Sequence, residues 1–387
     1  MAQTRKILIF SLAYFPKWIG GAEVAIKEIT DRISKKEALF TMVTARLSRD
    51  LPKEEVIGNV AIFRVGVGIP FIDKFIFMPL FGCLKATKLH KEYDFDLIWA
   101  MMANQSGVSA SFFKLWNKIP MILTLQEGDE EEYLKRYVFG NDFLYKILIK
   151  PWHTLPIRLA DRITVISNYL KERAIKAGSS VEPILIPNGV DLEKFSKEYS
   201  SDMLNMGREK MGLDKKDIVI FTSSRLAKKN GIIDLAGALE FLPENFKLLI
   251  AGSGEERENI EKLLENKRLM DRAIFLGFVE PDYIPYYLNI ADIFCRPSLS
   301  EGMGNSFIEA MASGVPVVAT PVGGIVDFLE DGKTGFMAEP GNPESIAKAI
   351  KRADKEGKKI IKKAKEKARE YDWHLIAPKM KEVFYEL

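Results

Sequence analysis

Ser300-Glu301-Gly302-Met303-Gly304-Asn305-Ser306-Phe307-Ile308-Glu309-Ala310-Met311-Ala312-Ser313-Gly314-Val315-Pro316-Val317-Val318-Ala319-Thr320 reads as a loop, a short helix and a buried strand. Asn305 or Ser306 can cap the helix, because a short polar side chain accepts from the first free amides. Phe307 to Ala312 is helical in composition. Gly314 ends the helix, Pro316 prevents its continuation, and Val315 to Ala319 has strand composition. The start of such a helix carries outward amides and the positive end of a dipole, so it attracts anions. Glycine before it lets a ligand approach the backbone. Glu301 and Glu309 flank the helix start with no histidine or cysteine nearby, which fits hydroxyl recognition better than a transition metal. Together these features describe a pocket for a sugar joined to a nucleotide through phosphate. A lone glycine-rich turn is more often only a turn, so the stretch must be weighed with the rest of the chain.

The Glu301-x7-Glu309 spacing and the following Glu-Ala-Met-Ala-x-Gly-x-Pro-Val-Val-Ala-Thr resemble the signature of retaining glycosyltransferases with the GT-B fold, glycosyltransferase family 4. The resemblance implies an α/β protein with two Rossmann-like domains facing across a cleft, and a C-terminal helix crossing back to the first domain.

Length and composition agree with two domains of a globular protein. The chain has 387 residues, of which 47% are hydrophobic and 28% charged; one core of that size would normally split. Cys83 and Cys295 lie far apart in apolar runs, as buried thiols of a reducing compartment do. The N-terminus enters a strand at Lys6-Ile7-Leu8-Ile9-Phe10 without a signal-peptide pattern, and no uncharged apolar run is long enough for a membrane span. These features lead to the expectation of a cytoplasmic protein. A net charge of +3 does not point to nucleic acid. The charge is uneven: residues 1–188 hold 26 basic and 20 acidic residues, the remainder 30 and 33. A basic first half fits an anionic surface or acceptor.

In chain order, Lys6 to Phe10 reads as a central parallel strand. The loop through Gly20-Gly21 opens a helix marked by Val24, Ile26, Ile29 and Ile33. Alone, Gly20-Gly21 fits a plain turn equally well; within the resemblance it is the family's Gly-Gly-x-Glu loop, whose backbone approaches the diphosphate and the acceptor. Strands are expected at Phe40 to Thr44, Val60 to Val65 and Asp96 to Ala100. Phe71 to Leu84 is apolar but interrupted by Asp73 and Lys74; core packing is the expectation, with a membrane interface as the alternative. Pro120 to Leu125 is a strand ending in Gln126-Glu127-Gly128-Asp129. Many family members hold a sugar-contacting histidine there; Gln126 departs from that pattern but can still bond a hydroxyl. Residues 143–160 mix aromatics with Lys146, Lys150 and Arg158, which suits either a core-facing helix or a membrane interface; His153 reads as an ordinary helix-face residue. Ser167 is expected to cap a helix. Pro187-Asn188-Gly189-Val190-Asp191 resembles the family's turn between domains, placing an acceptor domain at 1–188, a donor domain at 189–370 and a returning helix at 371–387.

The second half repeats strand, glycine loop and helix. Arg225, Lys228 and Lys229 follow the strand Asp217 to Thr222, where a fork and point charges can hold phosphate. The family pattern puts lysine five residues after the arginine; here that place holds Asn230 and Lys229 stands one earlier. Ile274 to Val279 is the next strand, and Val279 corresponds to the family's base pocket. Residues 343–370 read as a charged helix with a solvated face.

The resemblance implies transfer of a hexose-type sugar from a UDP- or GDP-sugar to a glycan or lipid-linked acceptor, with retention and without a metal or other cofactor. Arg225, Lys229, Glu301 and Gln126 are then the catalytic candidates. Gly20, Gly21, Val279, Met303, Gly304, Asn305, Ser306 and Glu309 join Arg225, Lys229 and Glu301 as donor contacts. Peripheral membrane contact and polysaccharide biosynthesis accompany this reading; nucleic acid does not. A GT-B phosphorylase or epimerase, or a non-catalytic nucleotide-sugar-binding protein, would use the same motifs.

Overall fold

The computed structural model describes residues 4–126, 141–145 and 150–387. The backbone forms two compact units: Met1–Asn188 with Trp373–Leu387, and Gly189–Asp372. Glu127, Gly128 and Asp129, and Lys146 within the 143–160 segment, lie outside the described residues.

The first unit is built on strands β1 (Arg5–Phe10), β2 (Ala38–Ala45), β3 (Glu54–Ile57), β4 (Val60–Val65), β5 (Leu97–Met101), β6 (Met121–Leu125), β7 (Arg162–Val165) and β8 (Ile184–Leu185). They form one sheet in the order β3-β4-β2-β1-β5-β6-β7-β8. All pairings are parallel except β3 with β4. Ile7 to Phe10 are completely enclosed, as expected of a strand covered on both faces. The Gly21–Asp31 helix buries Ala22, Ala25, Ile26 and Ile29. The Trp373–Tyr385 helix buries Trp373, Ile376, Met380 and Phe384 in the same cluster as Ile7, Phe40 and Trp99. Trp99 and Phe384 meet edge to face at 5.0 Å, and Lys381 pairs with Glu37. The last helix is therefore a structural part of the first unit. Inside the sheet, the Trp99 indole N–H donates to Thr124 Oγ1 at 2.8 Å, and Thr124 shares a hydrogen bond with Thr164 at 2.7 Å. That chain satisfies polar groups which would be costly if left unpaired.

The second unit carries β9 (Ile218–Ser223), β10 (Phe246–Ala251), β11 (Ala273–Gly277), β12 (Ile293–Arg296), β13 (Val317–Ala319) and β14 (Phe336–Met337). Their order is β11-β10-β9-β12-β13-β14, with every pairing parallel. This is a doubly wound Rossmann arrangement, and its strand order reverses between β9 and β12. The Pro343–Arg369 helix presents Ile346, Ile350, Ala353 and Ile360 to the core. Its lysine-rich remainder is solvated, as the composition indicated. The unit's two ends lie side by side: the Val190 N–H donates to the Tyr371 carbonyl at 2.7 Å, and Val190 bridges to Asp372.

Three local expectations change. Phe71 to Leu84 is not a core segment. It winds through a short helix at Pro70–Ile72 and a π-helical stretch at Asp73–Phe81, with Met78 and Cys83 inside but Phe71, Ile76, Leu80, Phe81 and Leu84 exposed. Asp73 interrupts the run because its carboxylate turns inward. It accepts the amides of Val67, Gly68 and Ile69 at 2.7–2.8 Å. The edge strand β3 was not anticipated, since Glu54 and Val56 share its exposed face while Glu55, paired with Arg64, and Ile57 share the other, so no apolar alternation shows. The third change concerns the cap of the Asn305–Ala312 helix and belongs to the site.

Candidate functional site

In open α/β sheets, ligands bind beyond the carboxyl ends of the strands where strand order reverses. In the second unit that point lies between the ends of β9 and β12. Arg225 stands two residues past the end of β9, and Glu301 five residues past the end of β12. Asn305, Ser306 and Glu309 lie on the helix that follows. Val279 is half-buried just beyond β11.

The cap of that helix is neither Asn305 nor Ser306. It is Gly304, in the left-handed conformation at φ 93°, with no side-chain hydrogen bond. A Cβ there would lie 2.5 Å from Phe307 Cδ2 and 3.0 Å from an Arg296 nitrogen. Glycine is therefore required on both backbone and steric grounds. The Phe307 amide donates to the Gly304 carbonyl at 3.1 Å, and no side chain closes over the positive end of the helix dipole. Ser306 adds a buried hydroxyl with no hydrogen-bond partner, and the hydroxyls of Thr222 and Ser298 near the same strand ends are likewise unpartnered. Unsatisfied buried polar atoms are uncommon in finished folds and call for an explanation such as a bound ligand.

Glu301 is held by a residue that the sequence reading did not single out. Arg296 donates to Glu301 Oε2 at 2.5 Å, and both side chains are largely buried. The guanidinium also stacks over Phe307, 4.4 Å from the ring centroid. Glu301 Oε1 accepts the Gly302 amide at 3.2 Å. The backbone of Glu301 is braced by Gly323, where an added Cβ would fall 1.7 Å from the Glu301 carbonyl oxygen. Met303 is buried beneath this loop. The one clue to Arg296 was a charged residue closing an otherwise apolar strand, Ile293-Phe294-Cys295-Arg296. Its partner could not be inferred without the tertiary fold.

Glu309 sits in the fifth position of its helix and is partly accessible. Burial nevertheless pushes its carboxyl up to about 7, against the opposing pull of Lys194 and Arg296. Lys194 is a second residue missed by the sequence; its ammonium bonds Asp282 at 2.7 Å. A carboxyl poised near neutrality can accept or donate to a hydroxyl.

The Arg225 loop explains the departure at Asn230. Arg225 itself is exposed, while Asn230 is buried and donates through Nδ2 to the Arg225 carbonyl at 2.6 Å. The side chain in the family's lysine place thus closes the loop from inside. Lys229 is half-exposed, and its carbonyl accepts the Leu299 amide at 2.7 Å. This bond ties the Arg225 loop to the Glu301 loop. Gly231, at φ 67°, lets the turn pass beneath Pro297, whose carbonyl oxygen would lie 2.0 Å from a Cβ.

In the first unit, strand order reverses between β1 and β5. Gly20 and Gly21 are exposed beyond the end of β1 and begin the Gly21–Asp31 helix. The Gly20 amide donates to Glu23 Oε2 at 2.9 Å, and burial raises the Glu23 carboxyl above its usual range. Glu23 therefore serves the loop's geometry by holding the first backbone turn. Gln126 follows β6 and is half-buried. Its Nε2 donates to Asn188 Oδ1 at 3.1 Å, and Asn188 Nδ2 donates back to Gln126 Oε1 at 3.0 Å.

Comparison with known proteins agrees with this architecture. The model of "Glycosyltransferase Family 4" matches residues 19–194 and that of "Glycosyl transferases group 1" matches residues 206–371. An uncharacterised glycosyltransferase of Methanocaldococcus jannaschii is 31% identical over 98% of this chain and 97% of its own length. Alpha-monoglucosyldiacylglycerol synthase of Streptococcus pneumoniae is 26% identical over 81% of this chain and 70% of its own. A sulfoquinovosyl transferase of Arabidopsis thaliana is 31% identical over 65% of this chain, where the match spans 49% of the plant protein. Among solved structures, sucrose-phosphate synthase from Thermosynechococcus elongatus superposes with a TM-score of 0.84 at 22% identity, over 99% of this chain and 98% of that one. HepE of Anabaena, solved with UDP-glucose, gives 0.77 at 21% identity, over 99% of this chain and 100% of that one. The chain belongs to the GT-B glycosyltransferases of family 4.

Proposed function

We propose that this glycosyltransferase moves a hexose-type sugar from a UDP- or GDP-sugar to a glycan or lipid-linked acceptor, with retention at the anomeric carbon and without a metal. The observation that carries the donor assignment is the arrangement at the β9/β12 reversal. Arg225 follows the end of β9, while the braced Glu301 carboxylate and the start of the Asn305–Ala312 helix follow the end of β12. Names of relatives support a nucleotide-sugar donor and a lipid-linked acceptor: HepE was solved with UDP-glucose, and two sequence relatives are named for sulfoquinovosyl and glucosyldiacylglycerol chemistry.

In this scheme Arg225 and Lys229, with the helix amides, stabilise the diphosphate as the glycosidic bond breaks. Glu309 takes the ribose hydroxyls, Val279 borders the base, and Glu301 orients the sugar. Gly20 and Gly21 offer backbone amides to the diphosphate or the acceptor. The bond from the anomeric carbon to phosphate breaks as the acceptor oxygen bonds to the same face. The departing phosphate oxygen takes the acceptor's proton, so no protein base is required. Gln126 would then bond a sugar hydroxyl rather than move a proton.

A thermal-shift screen with UDP, GDP and their sugars tests the donor assignment, since ligands of the folded state raise its melting point. Transfer assays and NMR of the product's anomeric proton follow with the responsive donor. The reading requires Arg225→Ala to lose nucleotide affinity while folding normally. An unchanged response, or an inverted product, would refute the respective assignment. Dependence on inorganic phosphate as co-substrate would instead identify a phosphorylase.

A further inference from the structure

The first unit exposes an apolar surface that its fold does not use. Leu80, Leu84, Leu115 and Trp116 are 54%, 51%, 57% and 70% exposed, and they rim one groove floored by Cys83 and Phe112. The surface joins two helical segments, Asp73–Tyr93 and Gln105–Asn117. Ile76 extends the exposed apolar character along the first of them, and Phe71 continues it just before that segment begins. Single exposed apolar residues need no explanation, but a continuous patch marks an interaction site.

The charge around the patch selects the occupant. From Lys74 to Tyr93 the chain has lysines at 74, 85, 88 and 91 against one carboxylate, Glu92, near the end of the helix; from Gln105 to Lys118 it has Lys114 and Lys118 and no carboxylate. Asp73, just before the first run, has its carboxylate closed on three backbone amides. Lys85 and Lys114 pair with Glu54 and Asp161. Lys88, Lys91 and Lys118 are exposed and make no ion pair among the described residues. A second copy on this surface would bring the same lysines against each other, because a two-fold interface pairs a patch with itself. An anionic bilayer offers the complement: headgroups for the lysines and acyl chains for the leucines, with tryptophan at the boundary between them.

We infer that this face of the first unit docks on an anionic lipid surface, with Leu80, Leu84, Leu115 and Trp116 entering the interface and Lys88, Lys91 and Lys118 meeting headgroup phosphates. The inference rests on the proposed function only in naming the acceptor's environment: a lipid-linked acceptor would be met at the membrane rather than extracted from it. No helix among the described residues is long and apolar enough to cross a membrane, so the attachment is peripheral.

The test is sedimentation of the full chain with phosphatidylcholine vesicles and with vesicles also containing phosphatidylglycerol, at low and high salt. The parent is expected to pellet with the anionic vesicles and to release in salt. L84S/W116S and K88E/K118E should each lower partitioning by roughly tenfold or more, since each lysine near such a surface carries substantial attraction. The substituted side chains are exposed, and an unchanged melting temperature checks that both variants are folded. A parent that stays in the supernatant with all vesicles, or variants that pellet like the parent, would overturn the inference. A parent dimer dissolved by L84S/W116S, without vesicle binding, would assign the surface to a second copy and also overturn it. The same samples receive UDP and GDP in thermal-shift runs. Vesicle binding without a nucleotide response sinks the donor assignment alone; the converse sinks the docking surface alone.

Discussion

Gln126 and Asn188 hold each other by two reciprocal amide hydrogen bonds, 3.1 and 3.0 Å long. The pair joins the end of β6 to the residue at which the first unit gives way to the second. Gln126 stands where many relatives of this family carry histidine. An imidazole cannot reproduce both bonds, because its two nitrogens diverge while a primary amide presents donor and acceptor side by side. Gln126→His should therefore lose about 1–2 kcal/mol of stability, and Gln126→Ala a similar amount, by removing the reciprocal bonds to Asn188. Urea unfolding of the two variants measures this. If Gln126 also bonds the sugar, Gln126→Ala lowers transfer while nucleotide affinity is kept.

The Arg296–Glu301 pair makes a different prediction. Removing one partner of a buried pair strands the other charge, at a cost of about 3–5 kcal/mol. Arg296→Met should accordingly destabilise the protein more than the double variant Arg296→Met/Glu301→Gln, in which no buried charge remains. A double-mutant cycle in denaturant yields the coupling. In transfer assays Arg296→Lys should keep the charge but lose the planar stacking on Phe307, and so act on turnover more than on donor affinity.

Glu309 predicts a pH dependence with a definite sign. Its folded carboxyl lies at about 7, above the unfolded value near 4.5. The folded state therefore binds the proton more tightly. This contribution is complete below the unfolded value and is lost as pH rises through about 7. Relative to Glu309→Gln, the parent should lose up to about 3 kcal/mol between pH 5 and 8. Melting curves of both proteins over that range, at fixed ionic strength, test it; parallel profiles would contradict the assignment.

Gly304 and Gly323 should tolerate no side chain. Gly323→Ala places a methyl against the Glu301 carbonyl and must displace the loop. Gly304→Ala strains a left-handed residue and crowds both Phe307 and Arg296. Each should cost more than the ~1 kcal/mol of backbone strain alone and should weaken nucleotide-induced stabilisation. By contrast, Gly212→Ala, at a positive φ with no atom within 4 Å, isolates the backbone term.

What the sequence disclosed follows from how each element is stabilised. Parallel strands buried on both faces show as unbroken apolar runs, so Ile7 to Phe10 and Ile218 to Phe221 were legible, as were the glycine loops after them. β3 was not, because each face of this edge strand pairs a glutamate with an apolar residue, Glu54 with Val56 outward and Glu55 with Ile57 inward, so no hydrophobic face announces it. The cap at Gly304 was misread because Asn305 and Ser306 are both good caps by residue type. The deciding fact, a left-handed backbone packed against Phe307, is tertiary. Arg296, Lys194 and Asn188 share that character: each acts through a partner distant in sequence or on another element. Phe71 to Leu84 failed in the opposite direction, since composition cannot distinguish an apolar segment that packs inward from one that faces outward.

The adjacency of Val190 and Tyr371 has a consequence for exchange between relatives. The whole interval Gly189–Asp372 leaves and rejoins the first unit's chain at neighbouring points, tied by one backbone bond. It is thus a cassette with paired ends, inserted between the two chain segments that build the other unit. Recombination within the family needs only two junctions, after Asn188 and before Trp373, to transplant the entire second unit. A chimera cut there interrupts no strand of either sheet.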